Sequence, residues 1–93
     1  MRDDDFEWDD EKAASNFAKH KITFEQARLV FGDPSPVVGN DDLSSTNEDR
    51  FSIVGMSCGN LLHVIYTHRE DRFRIISARK ANRNDRKTYH EGG

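Results

Sequence analysis

Leu61 to Lys80 carries two β-rich runs, Leu61–Thr67 and Phe73–Ala78, on either side of the polar segment His68–Arg72. Apolar, β-branched and aromatic runs bounded by polar turn residues predict an antiparallel hairpin. No other stretch restricts the fold as tightly. With side chains alternating along a strand, Leu62, Val64 and Tyr66 share one face, and Leu61, His63, Ile65 and Thr67 the other. In the second run Phe73, Ile75, Ser77 and Arg79 oppose Arg74, Ile76 and Ala78. Apolar residues on both faces place the hairpin centrally, covered at least partly on each side. The same stretch holds Arg69, Arg72, Arg74, Arg79 and Lys80, and a covered hairpin this cationic needs an anionic partner.

The remaining segments supply what covers it. Phe6-Glu7-Trp8 predicts a brief strand whose burial ties the N-terminus to the sheet. Asp9 or Asp10 caps a helix over Glu11–His20, because a short side-chain oxygen accepts from the free amides of a first turn. Its apolar side is Ala13, Ala14, Phe17 and Ala18, with Lys12, Ser15, Asn16 and Lys19 elsewhere. Thr23-Phe24-Glu25-Gln26 has capping-box form, with Ile22 and Ala27 at the staple positions. That second helix runs to about Phe31 and buries Phe24, Ala27, Val30 and Phe31. Gly32-Asp33-Pro34 stops it. Pro34–Val38 is extended, Gly39–Arg50 is a polar loop, and Phe51–Ser57 is a third strand turned by Ser57-Cys58-Gly59-Asn60. Asn82 caps a short final helix to Tyr89 or His90, anchored by Tyr89. The sum is an α+β chain in one domain over residues 1–93: a small, mainly antiparallel sheet, two N-terminal helices packed on it and a short C-terminal helix.

Composition narrows the function classes. A single Cys58 excludes an intrachain disulfide and suits a reducing cytoplasm. No apolar run approaches the roughly 20 residues of a membrane span, and the acidic N-terminus is no signal peptide. His20, His63, His68 and His90 show no His-x-x-x-His or His-x-Cys spacing, so no metal site and no cofactor is expected. Charge is split along the chain. Residues 1–49 hold five Lys and Arg against thirteen Asp and Glu, whereas residues 50–93 hold nine against four. The basic half suits phosphate, and the acidic half suppresses non-specific binding.

The residues that remain for chemistry are His68, Arg69, Glu70 and Arg72 around the hairpin turn, and Arg79 at the far end of the second run. Guanidinium groups recognise phosphate bidentately and stabilise a pentavalent phosphorane, whose charge builds on the equatorial oxygens. A carboxylate or imidazole can take the proton of a ribose 2′-hydroxyl while a second group protonates the departing 5′-oxygen. The same residues also suit a solvated turn with surface ion pairs worth little. With the turn centred on Glu70-Asp71, Arg79 pairs near Leu62, roughly 20 Å from the tip at ~3.3 Å per residue. Arg72, Arg74, Lys80 and Arg83 extend the basic surface toward an RNA backbone, as do Lys19 and His20 at the end of the first helix.

Phe6-Glu7-Trp8-Asp9, then Lys12, Asn16, Lys19-His20, Phe24-Glu25-Gln26-Ala27, Phe31 and Asp33, resemble the front half of the BrnT family of small bacterial toxins. Tyr66-Thr67, Arg69 and Arg74-Ile75-Ile76-Ser77-Ala78-Arg79-Lys80-Ala81 resemble its back half, so the likeness covers nearly the whole chain in order. Lys21 departs from it, since the family commonly has Gly after Lys-His. The resemblance implies a RelE-like fold, a type II toxin–antitoxin system and a ribonuclease that arrests growth. It further implies a BrnA-like antitoxin whose ribbon-helix-helix part binds operator DNA, so that DNA is reached only through the complex. The family's functional arginines carry over to Arg69 and Arg79, with Glu70 as the adjacent carboxylate. The alternative is a non-catalytic basic module that docks an antitoxin and supports its binding to operator DNA.

Overall fold

A five-stranded sheet forms around the hairpin in a computed structural model that describes residues 1–40 and 50–92. In chain order the elements are β1 (Phe6–Glu7), α1 (Asp10–His20), α2 (Phe24–Leu29) closed by a 3-10 turn (Val30–Gly32), and β2 (Val37–Asn40). There follow β3 (Phe51–Ser57), β4 (Asn60–Arg69), β5 (Arg72–Lys80) and α3 (Arg83–His90). The strand order is β1-β5-β4-β3-β2, antiparallel throughout except that β1 runs parallel to β5. The expected α+β arrangement is the one found. Of the expected polar loop over Gly39–Arg50, Gly39 and Asn40 instead close β2 by pairing with Ser52 and Phe51, and residues 41–49 lie outside the described residues.

Local chemistry sets the helix boundaries. The Asp9 carboxylate accepts from the amides of Glu11 (2.8 Å) and Lys12 (3.2 Å), which starts α1. Lys21 ends it in the left-handed region at φ 62°, its N–H donating to the Phe17 carbonyl at 2.8 Å. Thr23 and Gln26 form the predicted reciprocal box at the start of α2. Phe24, Ala27 and Val30 are fully buried against Ile53, Leu62, Val64 and Ile75. Phe31 sits among Phe6, Tyr66 and Phe73 with ring centroids 5.1, 5.0 and 4.8 Å away.

The first helix does not bury the side its composition suggests. Ala14, Phe17 and Ala18 are exposed, Ala13 is half-buried, and the buried residue is Asn16. The cause lies in the sheet. β1 pairs β5 only at Phe73 and Arg74, so the rest of that edge has no strand beside it. Asn16 takes the strand's place: its Nδ2 donates to the Ala78 carbonyl (2.9 Å) and its Oδ1 accepts the Ala78 N–H (3.1 Å). Nδ2 also donates to the Ile22 carbonyl at 3.0 Å. Unpaired backbone groups at a covered edge are costly, and satisfying them fixes how α1 lies. The opposite edge is treated alike. β2 pairs β3 only as far as Val54, and beyond it the Asp33 carboxylate accepts the Met56 N–H at 2.7 Å. Gly55 permits this approach, since a Cβ there would stand 3.0 Å from Val30 Cγ1 and 3.2 Å from Asp33.

The hairpin turns on Glu70 and Asp71 alone, with both residues at positive φ (51° and 67°), the pattern of a two-residue turn that matches strand twist. Strands β4 and β5 therefore reach closer to the tip than the polar segment suggests. One irregularity decides the faces. Register shifts between Ile65 and Tyr66, where Ser77 pairs Ile65 but Ile75 pairs Tyr66, leaving Ile76 as the extra residue of a bulge. Strict alternation would separate Ala78 from Ile75 and Arg79 from Arg74. The bulge reverses that: Ala78 joins Ile75 in the core, and Arg79, opposite His63 rather than Leu62, joins Arg74 on the other face.

Candidate functional site

Strand pairing assigns the side chains. Leu62, Val64, Tyr66 and His68 of β4 face α1 and α2, as do their partners Lys80, Ala78, Ile75 and Phe73. The opposite face carries His63, Ile65, Thr67 and Arg69, with their partners Arg79, Ser77, Arg74 and Arg72. Four arginines thus share one side of the hairpin. α3 covers only part of that side, where Tyr89 packs with Val37, Val54, Leu61 and Ala81.

Each arginine has its own surroundings. Arg69, at the tip, makes no ion pair or hydrogen bond among the described residues and is exposed. Arg72 donates from Nε to the Asp3 carbonyl (2.7 Å) and lies 3.7 Å from the Glu70 carboxylate. Arg74 is paired with Glu7, whose side chain is only 9% exposed. Arg79 donates from Nη1 to Asp85 Oδ2 at 2.7 Å and to the Lys80 carbonyl at 3.1 Å. Asp85 also accepts the Asn82 N–H (2.9 Å) while its own N–H donates to Asn82 Oδ1 (2.8 Å), the box that begins α3. Burial pushes the Asp85 carboxyl up, but the Asn82 amide, the Arg79 guanidinium and the nearby His63 outweigh it and hold the group below the ordinary aspartate value.

Beside this face an open cleft of about 410 Å³ separates α1 from the bulged part of β5. Glu11, Lys12, Lys19 and His20 line it from the helix with Asp9 at the cap, Ile76 and Ser77 from the strand. Because Ser77 also belongs to the arginine face, the cleft continues that face around the sheet edge, and it brings Lys19 and His20 next to the hairpin.

Not every predicted residue converges. Arg69, Glu70 and Arg72 gather at the tip, whereas Arg79 lies six β4 positions away, roughly 20 Å at ~3.3 Å per residue. Two local sites therefore lie along one track. His68 neighbours Arg69 in sequence but projects from the other face, with ring centroids 5.0 Å from Phe73 and 5.5 Å from Phe51. Lys80 is exposed at the end of β5 and Arg83 at the first position of α3. Asp85 and Glu7 carry no role predicted from the sequence, whereas His63, expected near Arg79, stands directly opposite it. Asn82-x-x-Asp85 was legible as a cap, but its reach to Arg79 depends on the bulge. Among the described residues no three His, Cys, Asp or Glu side chains group as a metal site, and no helix is long and apolar enough to cross a membrane.

Comparison with known proteins adds a family. Residues 8–85 match the family model described as the ribonuclease toxin, BrnT, of a type II toxin–antitoxin system. No curated protein matches the chain.

Proposed function

This chain belongs to the BrnT family of ribonuclease toxins of type II toxin–antitoxin systems, and we propose that its arginine-bearing sheet face is where RNA is held and cut. Membership makes RNA the substrate and an antitoxin protein the partner. The observation that carries the assignment is the bulge at Ile76, opposite Ile65 and Tyr66, which brings Arg79 to the side that Arg69, Arg72 and Arg74 already share.

We assign phosphate stabilisation to Arg69 and Arg79. Arg69 has its full guanidinium available for the equatorial oxygens of a phosphorane, where charge develops. Glu70 takes the proton from the 2′-hydroxyl as that oxygen attacks phosphorus. The bond from phosphorus to the 5′-oxygen breaks, and His68, exposed at the tip, returns a proton to the departing oxygen where RNA folds over the turn. The products are a 2′,3′-cyclic phosphate and a 5′-hydroxyl, and no metal enters this route. Arg72, Arg74 and Arg83 follow the backbone, with Lys19 and His20 receiving it in the cleft beside α1 and Lys80 lying on that helix-bearing side of β5. The partner is a BrnA-like antitoxin with a ribbon-helix-helix part, which carries the complex to operator DNA.

Cleavage of free RNA by purified protein in EDTA tests this reading. The upstream fragment is expected to end in a cyclic phosphate, and a free 3′-hydroxyl would sink the mechanism. Glu70→Gln is expected to abolish cleavage yet leave RNA affinity nearly unchanged, and His68→Gln to slow it less. One observation favours a second reading. Arg74 and Arg79 already hold carboxylates, so this face can also dock an acidic antitoxin segment without catalysis. Under that reading wild type and Glu70→Gln bind alike and neither cuts.

A further inference from the structure

We propose that Asp85 is a positioning residue for Arg79, holding one corner of its guanidinium so that the rest faces RNA. The inference rests on the ribonuclease reading above and extends it by one residue. A capping box needs only an acceptor at its third helical position, a role an uncharged glutamine fills as well as an acid. The negative charge of Asp85 is therefore surplus to the cap. The structure shows where it goes: Oδ2 receives both the Asn82 N–H at 2.9 Å and Arg79 Nη1 at 2.7 Å.

The side chain of Asp85 is 11% exposed and that of Arg79 35%, so the carboxylate is nearly buried while the guanidinium side chain keeps about a third of its surface open. Nη1 is used twice, by Asp85 and by the Lys80 carbonyl at 3.1 Å. Nε and Nη2 make no hydrogen bond among the described residues and remain for a phosphate. A long, flexible side chain loses rotamer freedom when it binds, and a guanidinium already fixed at one corner loses less. Only Ala81 and Asn82 separate β5 from α3, and the Ala81 N–H donates to the Leu61 carbonyl at 2.9 Å. The carboxylate thus reaches Arg79 from a helix start fastened to the sheet.

The test compares cleavage of an RNA, free and on ribosomes, by wild type, Asp85→Gln, Arg79→Ala and the double variant. Asp85→Gln keeps the cap and loses the charge. Its kcat is expected to fall roughly 10- to 100-fold, the scale of a small misplacement at a reacting centre, with KM within about twofold of wild type. Asp85→Glu, which retains cap and charge on a longer arm, is expected to recover part of that loss. In the Arg79→Ala background Asp85→Gln is expected to cost nothing further, because its effect passes through Arg79. A purely structural role would instead slow both backgrounds by the same factor, and that result overturns the proposal. So does Asp85→Gln at or above the wild-type rate, as expected of a carboxylate that merely masks Arg79. Should Arg79→Ala be slow and Asp85→Gln fully active, only this inference falls. Wild-type cleavage by Arg79→Ala, or none by wild type, removes the ribonuclease assignment at Arg79 and this inference with it.

Discussion

Replacing Asn16 by Ala tests how the site is held. The carboxamide makes three hydrogen bonds, at 2.9, 3.0 and 3.1 Å, to backbone groups of Ala78 and Ile22. Truncation leaves one N–H and two carbonyls without a partner at a residue that is only 7% exposed. Each net hydrogen bond is worth about 0.5–1.5 kcal/mol, and stranding a buried group costs toward the upper end, so the total is about 2–4 kcal/mol. Against the ~5–15 kcal/mol of a typical domain that is a large share. At roughly 4–8 °C per kcal/mol for a chain of this size, the melting point falls about 8–32 °C. Urea unfolding measures the loss, and the slope with denaturant should not change if the native state keeps its extent. Amide exchange at Ala78 reports the edge directly and should accelerate more than exchange in the middle of β4. Ser15→Ala, one residue away and exposed, is the control, expected within about 0.5 kcal/mol of wild type. A loss below about 0.5 kcal/mol for Asn16→Ala, with Ala78 still protected, would refute the edge argument. The consequence reaches function, because α1 carries Lys12, Lys19 and His20 into the cleft beside Ser77.

Three further outcomes are expected. Lys21→Gly should stabilise the chain by about 0.5–1 kcal/mol in thermal melts, since φ 62° strains any residue with a Cβ and the larger unfolded-state entropy of glycine offsets only part of the gain. The Asp33 carboxyl is held below the ordinary aspartate range by the Tyr89 hydroxyl first, then by the Ser35 and Met56 amides. A depressed carboxylate contributes stability above its unfolded value and loses it as pH falls through the folded one, so this contribution disappears below about pH 4. Tyr89→Phe should raise the Asp33 midpoint and flatten that acid limb, and an unmoved carboxyl titration by NMR would count against the contact. RNA affinity should weaken with salt, and Arg69→Ala should reduce the slope of log K against log salt by about 0.7, the value for one phosphate on a single strand.

Much of this fold was legible because periodicity and caps are local signals. The hairpin, the Thr23–Gln26 box, the stop at Gly32-Asp33-Pro34 and the cap at Asn82 all rest on residues within a few positions of one another. What was hidden is non-local. No pattern in Asp10–His20 announces that Asn16 will be buried, because the reason is an unpaired edge some sixty residues further along the chain. Nor does the run from Phe73 to Lys80 advertise its bulge, since Ile75, Ile76 and Ala78 fit either parity. That single extra residue moves Arg79 across the sheet. The site was accordingly legible as a set of residue types and only partly as a geometry: Arg69, Glu70 and Arg72 gather at the tip as their spacing suggests, while the Arg79–Asp85 pair depends on the register shift.

The charge split along the sequence has a structural answer that bears on how the face works. A cationic hairpin needs anionic partners, and the acidic N-terminal segment supplies one of them, Glu7 for Arg74. Glu7 holds Arg74, the Asp3 carbonyl holds Arg72, and the Asp3 carboxylate holds Arg28 at 2.7 Å. α3 supplies Asp85 for Arg79. Exposed ion pairs are worth only about 0–1 kcal/mol, so the 3.7 Å contact of Arg72 with the exposed Glu70 carboxylate can be given up at little cost while its Nε stays on the Asp3 carbonyl. The Arg74–Glu7 pair is more deeply set, and breaking it would strand a nearly buried carboxylate. The face is therefore graded. On the proposed reading, Arg69 would meet RNA without giving up a partner, Arg72 would release only its loose contact with Glu70, and Arg74 would stay on Glu7. On that reading RNA would engage from the tip inward and reach Arg79 last, roughly 20 Å along the track.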